Sequence, residues 1–152
     1  MPTLTSRIEL PSSAPGTRRV LLAHRYGAPG ARPKAYFQAA LHADEIPGLL
    51  VAHDLLQGLE QAQAEGRLIG EVVVVPAANP IGLGQHLNGR LLGRFDFEST
   101  GNFNRGFPDL AAVAVERLRG GLSDDPATNV NRIRETLRAV LAGQKALRES
   151  AA

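Results

Sequence analysis

The 152-residue chain contains no cysteine. Disulfides, thiolate metal sites and cysteine nucleophiles are therefore excluded. Any bound metal must rest on His, Asp or Glu. No run of residues approaches the roughly 20 apolar positions that a membrane-spanning helix requires. Met1 to Gly16 lacks the apolar stretch of a secretory signal, so the expected location is cytoplasmic, with no membrane partner. Only Lys34 and Lys145 are lysines, and the arginines are scattered rather than massed. The net charge of +2 is too small to imply a nucleic-acid partner. What is present is ordinary for one globular domain: 43% apolar and 21% charged residues. The expectation is a single α/β domain over 1–152.

Arg7 to Leu10 is a short candidate strand, and Arg18 to His24 a mostly buried one. Ala35 to His42 is a third, set off by the Gly/Pro cluster of 27–33. Leu49 to Glu65 has helical periodicity, with Leu49, Leu50, Ala52, Leu55, Leu56 and Leu59 on the apolar face and Gly66 as its stop. Glu71 to Val75 is an unalternating β-branched run, the pattern of a strand buried on both faces. A loop of about 76–109 follows, rich in Gly, Asn, Arg and Phe. Long loops in compact domains are usually functional. Phe95, Phe97, Phe103 and Phe107 are expected to pack beneath it. Asp109 is a candidate N-cap for a helix to Arg119, which Gly120-Gly121 breaks. Ser123 to Pro126 opens a longer helix through about Glu149. This order predicts an α/β fold with a mixed β-sheet flanked by helices.

The residues able to do chemistry begin at His42-Ala43-Asp44-Glu45, where a buried strand ends and a loop leads into a helix. Ligands of open α/β sheets bind outside the carboxyl ends of the strands. An imidazole nitrogen and a carboxylate three residues apart can converge on one zinc ion through a tight turn. The same spacing also arises by chance, with Glu45 simply favoured by the start of the following helix. Asp44 can orient a ligand or face water. Asn104-Arg105, in Gly101-Asn102-Phe103-Asn104-Arg105-Gly106-Phe107-Pro108, combines a neutral donor with a planar fork of donors, a good carboxylate clamp. Arg90 and Arg94 can add a cation for a developing oxyanion. Gly82-Leu83-Gly84 does not complete a dinucleotide loop, because Leu87 stands at the third glycine position. Ser99-Thr100-Gly101 lacks the strand–turn–helix setting of a nucleophile elbow.

His42 and Glu45, Asn79-Pro80 after the next strand, Arg94 and Asn104-Arg105-Gly106-Phe107-Pro108 stand in one order. In this the chain resembles the succinylglutamate desuccinylase/aspartoacylase family of the zinc carboxypeptidase superfamily, from about Ala35 to Asp109. The resemblance implies a zinc-carboxypeptidase-like fold and a zinc ion (Zn2+) held by His42, Glu45 and a third ligand. It implies hydrolysis of an amide bond in a small N-acyl amino acid or related acylated amine. Arg94 then has a catalytic role, and Asn104 and Arg105 bind substrate. A carboxypeptidase-type peptidase and a non-catalytic metal-binding or interaction domain are the alternatives.

Two departures qualify the resemblance. Asn102 stands where many members carry Asp. The family's third ligand is a downstream His, with the catalytic Glu further on, yet no histidine follows Arg105 here. Glu116, Glu135 and Glu149 fall on amphipathic helices, as solvated faces. His24 and His53 read as packing or surface residues, and only His86 lies within the functional loop. The expectation is the amino-terminal part of a longer hydrolase, an incomplete domain with little activity alone. Its partner would be a missing carboxyl-terminal half or a second copy of itself.

Overall fold

The computed structural model describes residues 1–12 and 14–150, with the backbone alone for 144–150. The chain divides into two compact units, Met1–Gly106 and Phe107–Ala152.

The first unit is built on a four-stranded sheet. Its strands are β1 (Leu4–Leu10), β2 (Arg19–Gly27), β3 (Lys34–Gln38) and β4 (Glu71–Val75), in the order β1-β2-β4-β3. β1 runs antiparallel to β2, and β2 to β4, whereas β3 and β4 are parallel. The sheet is mixed, as the element order predicts. The valine run of β4 occupies an interior position, where β-branched side chains pack on both faces. Val73 and Val75 meet Ala23, while Val74 meets Tyr26 and Leu59.

β3 departs from expectation in two ways. It ends at Gln38, four residues before His42, because Ala40 takes a left-handed conformation at φ 55° and turns the chain. It is also an edge strand, with Tyr36 and Phe37 exposed, rather than a buried one.

The connection from β3 to β4 is helix α1 (Pro47–Ala64). Proline suits the first helical position, where its missing N–H is no loss. The buried face carries Ala52 and Leu59, with Leu55 and Leu56 packed beside Tyr26 and Val74. Leu50, expected on that face, is exposed, being half a turn away from Ala52. Gly66, at φ 67°, closes the helix: its N–H reaches the Gln63 carbonyl, and that of Arg67 reaches the Ala62 carbonyl. This pairing satisfies carbonyls that the last turn would leave open.

At the start of β4, buried Glu71 accepts from Arg25 at 2.8 Å, Lys34 at 2.9 Å and the Gly30 N–H at 3.2 Å. These partners hold its carboxyl down at about 2. Past β4, the expected irregular loop contains a short helix, α2 (Pro80–Leu83), and a two-stranded hairpin, β5 (His86–Leu87) with β6 (Arg90–Leu91). Phe95, Phe97 and Phe107 are half-exposed or more and do not form the packed underside expected of them.

The second unit packs α3 (Leu110–Leu118) against α4 (Pro126–Ser150), burying Ala114 and Val140. Asp109 caps α3 by accepting the Ala112 N–H at 3.0 Å, as its position predicts. Asp125 does the same for α4 through the Thr128 N–H at 3.0 Å. Glu116 and Glu135 are exposed on these helices. The side chain of Glu149 lies outside the described residues.

Candidate functional site

The four residues 42–45 form a turn between β3 and α1, closed by the Glu45 N–H on the His42 carbonyl at 3.1 Å. Ala43 at its centre has no exposure at all. Its N–H donates to the Gly93 carbonyl at 2.8 Å. A Cβ on Gly93 would stand 2.4 Å from the Ala43 Cβ, and one on Gly82 would stand 3.0 Å from it. The turn can pack this closely only because two neighbouring residues lack side chains. Gly82, read above as part of a failed dinucleotide loop, has this packing role instead.

Asn79 and Gln85 complete the support. The Oδ1 of Asn79 accepts the Gly82 N–H at 2.8 Å and caps α2, while its Nδ2 donates to the Leu41 carbonyl at 3.0 Å. This one buried side chain ties the start of α2, just past β4, to the residue before His42. Buried Gln85 donates to the carbonyls of Leu92 and Phe95 and accepts the Phe97 N–H at 2.8 Å. It thereby shapes the segment that carries Arg94. Gln85 and Gly93 carried no recognisable signal in the sequence, because their roles depend on partners brought close only by the fold.

Three of the candidate side chains, His42, Glu45 and Arg94, meet here. His42 is buried, and its Nδ1 lies 3.1 Å from the Glu45 Oε1. Arg94 reaches into the same place. Its Nη1 is 2.9 Å from the His42 Nδ1, its Nη2 donates to Glu45 Oε1 at 3.0 Å, and its Nε donates to Asp44 Oδ2 at 3.2 Å. Hydrogen bonds from His42 and then Arg94 hold the Glu45 carboxyl below its ordinary range. The guanidinium in turn titrates above its usual value, chiefly through Glu45. On the far side of the ring, Asn102 Oδ1 stands 2.7 Å from His42 Nε2. Asn102 is placed by a bridge to Phe95 and by the turn that Asp96 and Ser99 close.

Asn104 and Glu45 share the lining of a cleft of about 620 Å³ beside β3 and α1. Arg105 is exposed, donates to the Asn104 carbonyl at 2.7 Å and does not line that cleft. The other histidines lie apart from the cluster. His24 pairs with Thr5, His53 with Gln57, and exposed His86 lines a different cleft with Asp96 and Glu98. Arg90 lies exposed on β6. Among the described residues, no group of three or more His, Asp or Glu side chains is arranged to hold a metal ion.

The model of the succinylglutamate desuccinylase/aspartoacylase catalytic domain matches residues 31–145. The chain belongs to this family. A family protein from Shewanella amazonensis has a solved structure that matches at 28% identity and a TM-score of 0.67, over 96% of this chain and 38% of that one. A second structure, from Shewanella frigidimarina and assigned to the same family, matches at 21% identity and a TM-score of 0.65, over 97% and 38%. The chain thus spans 38% of the length of these relatives and corresponds to one part of their fold. No curated protein matches it closely.

Zinc, the metal implied by family resemblance, finds two suitable donors here. An imidazole nitrogen and a carboxylate oxygen are both zinc ligands, and they face one point. Arg94 sets its positive guanidinium against both of them, so the position accommodates a cationic group. The donor pair fits; a third donor is not among the described residues.

Proposed function

We propose that this chain supplies the His42–Glu45 half of a zinc-dependent deacylase site, acting on the amide bond of a small N-acyl amino acid or related acylated amine. The observation that carries the reading is the 3.1 Å approach of His42 Nδ1 to Glu45 Oε1, with a cationic group already set against both atoms. When bound, the metal would polarise the scissile carbonyl and lower the pKa of a bound water. His42 and Glu45 would hold it, with Asn79 and the Gly82–Ala43–Gly93 contact keeping their turn in place. Asn104 would offer its amide to substrate in the cleft beside Glu45. Arg105, exposed and carrying a planar fork of donors, would meet the substrate carboxylate. Arg94 would turn from Glu45 toward the developing oxyanion. The third ligand and the general base must come from outside the described residues.

A second reading, a non-catalytic domain, draws support from the triple engagement of Arg94 with Asp44, Glu45 and His42. In that case the guanidinium is a permanent structural substitute for the metal. Zinc titration of the purified chain against a chromophoric chelator separates the two. The deacylase reading expects weak, stoichiometric binding that His42→Ala abolishes, with no turnover of N-succinylglutamate by this chain alone. Absence of His42-dependent binding, both in the wild type and once Arg94 is replaced by alanine, would favour the non-catalytic domain.

A further inference from the structure

The outer edge of β1 carries a charge pattern that complements itself. Among the described residues β1 pairs on one side only, with β2, in an unbroken register from Leu4 opposite Arg25 to Leu10 opposite Arg19. The other edge presents backbone N–H and C=O groups that a further strand can use. Edge strands are usually blunted by proline, lysine, a bulge or a very short length. β1 has seven residues, with no proline, lysine or bulge among them. Leu4 and Ile8 are half exposed, and Arg7 and Glu9 are exposed.

Successive side chains of a strand point to opposite faces. Ser6 and Ile8 share the face of Ala23 and Leu21, while Thr5, Arg7 and Glu9 lie on the other, opposite His24, Leu22 and Val20. Arg7 and Glu9 therefore flank Ile8 with opposite charges on one face. Neither side chain has an ion-pair partner among the described residues. An antiparallel copy of the strand reverses the order of these charges. Centred on Ile8, it sets Arg7 against Glu9 of the second copy, Glu9 against Arg7, and Ile8 against Ile8. Opposite charges facing across two strands stabilise the pairing, and like charges oppose it. A twofold axis sets one residue against itself, so the competing registers move by whole residues. Centring on Arg7 would oppose arginine to arginine. Centring on Glu9 would oppose glutamate to glutamate and bring Pro11 against Arg7.

We infer that two copies of this chain associate through β1, their sheets joined edge to edge in the antiparallel register centred on Ile8. Charge selects the occupant: a strand bearing one sign would repel its own copy, whereas this one is complementary to itself when reversed. The contact runs from Ser6 to Leu10 and stops at Pro11, which has no N–H to donate. So short a contact falls below the roughly 1,200–2,000 Å² of a standard stable interface. The association is accordingly weak and rises with concentration. It uses no residue of the candidate site and is independent of the deacylase reading.

Sedimentation equilibrium of the full chain over a concentration series is the test, and a reversible monomer–dimer equilibrium is expected. Arg7→Glu or Glu9→Arg turns both charge contacts repulsive at once and should weaken dimerisation about tenfold or more. The two substitutions combined should restore it. All three variants alter exposed positions, and circular dichroism checks that each stays folded. Cysteine cross-linking reads the register without interference, because the chain has no cysteine of its own. Ile8→Cys should form a disulfide-linked dimer, since facing residues of antiparallel strands lie about 4.5–5.5 Å apart at Cα, within disulfide reach. Ser6→Cys should not, its two copies being offset by about 13 Å along the strands. A chain that stays monomeric at every concentration would overturn the inference and leave the edge to a strand of another protein. Dimers indifferent to the charge reversals, or cross-linked through Ser6→Cys instead of Ile8→Cys, would overturn it in favour of a different surface or register.

Discussion

The guanidinium of Arg94 donates to Glu45 Oε1 at 3.0 Å, the oxygen that also faces the His42 imidazole. A residue placed by family resemblance in a catalytic role thus competes for the very donors that would hold the metal. Arg94→Ala should tighten zinc binding by a few-fold, the scale of an exposed ion pair. It should also let the Glu45 carboxyl rise toward its ordinary value. Chelator competition reads the first effect, and carboxyl-carbon NMR titration of Glu45 the second. Weaker zinc binding in Arg94→Ala would mean that the arginine supports the site rather than competing within it.

Gly93 allows the turn to pack. Gly93→Ala places a methyl 2.4 Å from the Ala43 Cβ, so the turn must move or the Ala43–Gly93 hydrogen bond must lengthen. A loss of about 1–3 kcal/mol is expected, as for other overpacked cores. Urea denaturation measures it. The amide resonances of residues 42–45 should shift more than those of β1.

Gln85 satisfies three backbone groups of the segment 92–97 with one side chain. Gln85→Leu keeps the bulk and removes every partner. Each group left buried and unpaired costs about 1–3 kcal/mol, less where water can replace it. The segment bearing Arg94 should lose protection in hydrogen exchange before the sheet does, and unchanged protection there would argue that Gln85 is dispensable.

Glu71 makes stability depend on pH. Its carboxyl is held at about 2 in the folded chain, against an ordinary value of 4.5. A depressed folded value means that the contribution is complete above about 4.5 and fades as pH falls from there toward about 2. Wild type should therefore melt higher than Glu71→Gln at neutral pH. The gap should narrow through that acid window, as followed by circular dichroism. A gap independent of pH would assign the effect to packing alone.

Much of the fold was legible because local signals and packing agree. The valine run of β4, the Gly66 stop of α1 and the Asp109 cap of α3 each follow from side-chain shape or backbone freedom at a single place. Strand pairing was less legible. Lys34–Gln38 looks like a buried strand by composition, yet among the described residues it pairs only with β4 and leaves Tyr36 and Phe37 outside. The division near Gly106 left no mark in the residue pattern. In the candidate site, the closeness of His42 and Glu45 was legible through their spacing, whereas Asn104 and Arg105, adjacent in sequence, part: Asn104 lines the cleft and Arg105 does not. Gln85, Gly93 and the engagement of Arg94 with Asp44 were not legible, since each joins segments distant in sequence.

The single amide of Asn79 joins the start of α2, just past β4, to the approach to the turn of His42. The turn thus shares its order with the segment that leaves β4, in addition to its own closing bond and its packing on Gly93. Its shape should accordingly persist on heating until the strands themselves separate, rather than fray early as exposed turns do. Ligand geometry and global unfolding would then share one transition, and any substitution that weakens the valine strand would register, at a distance, as a looser grip at His42.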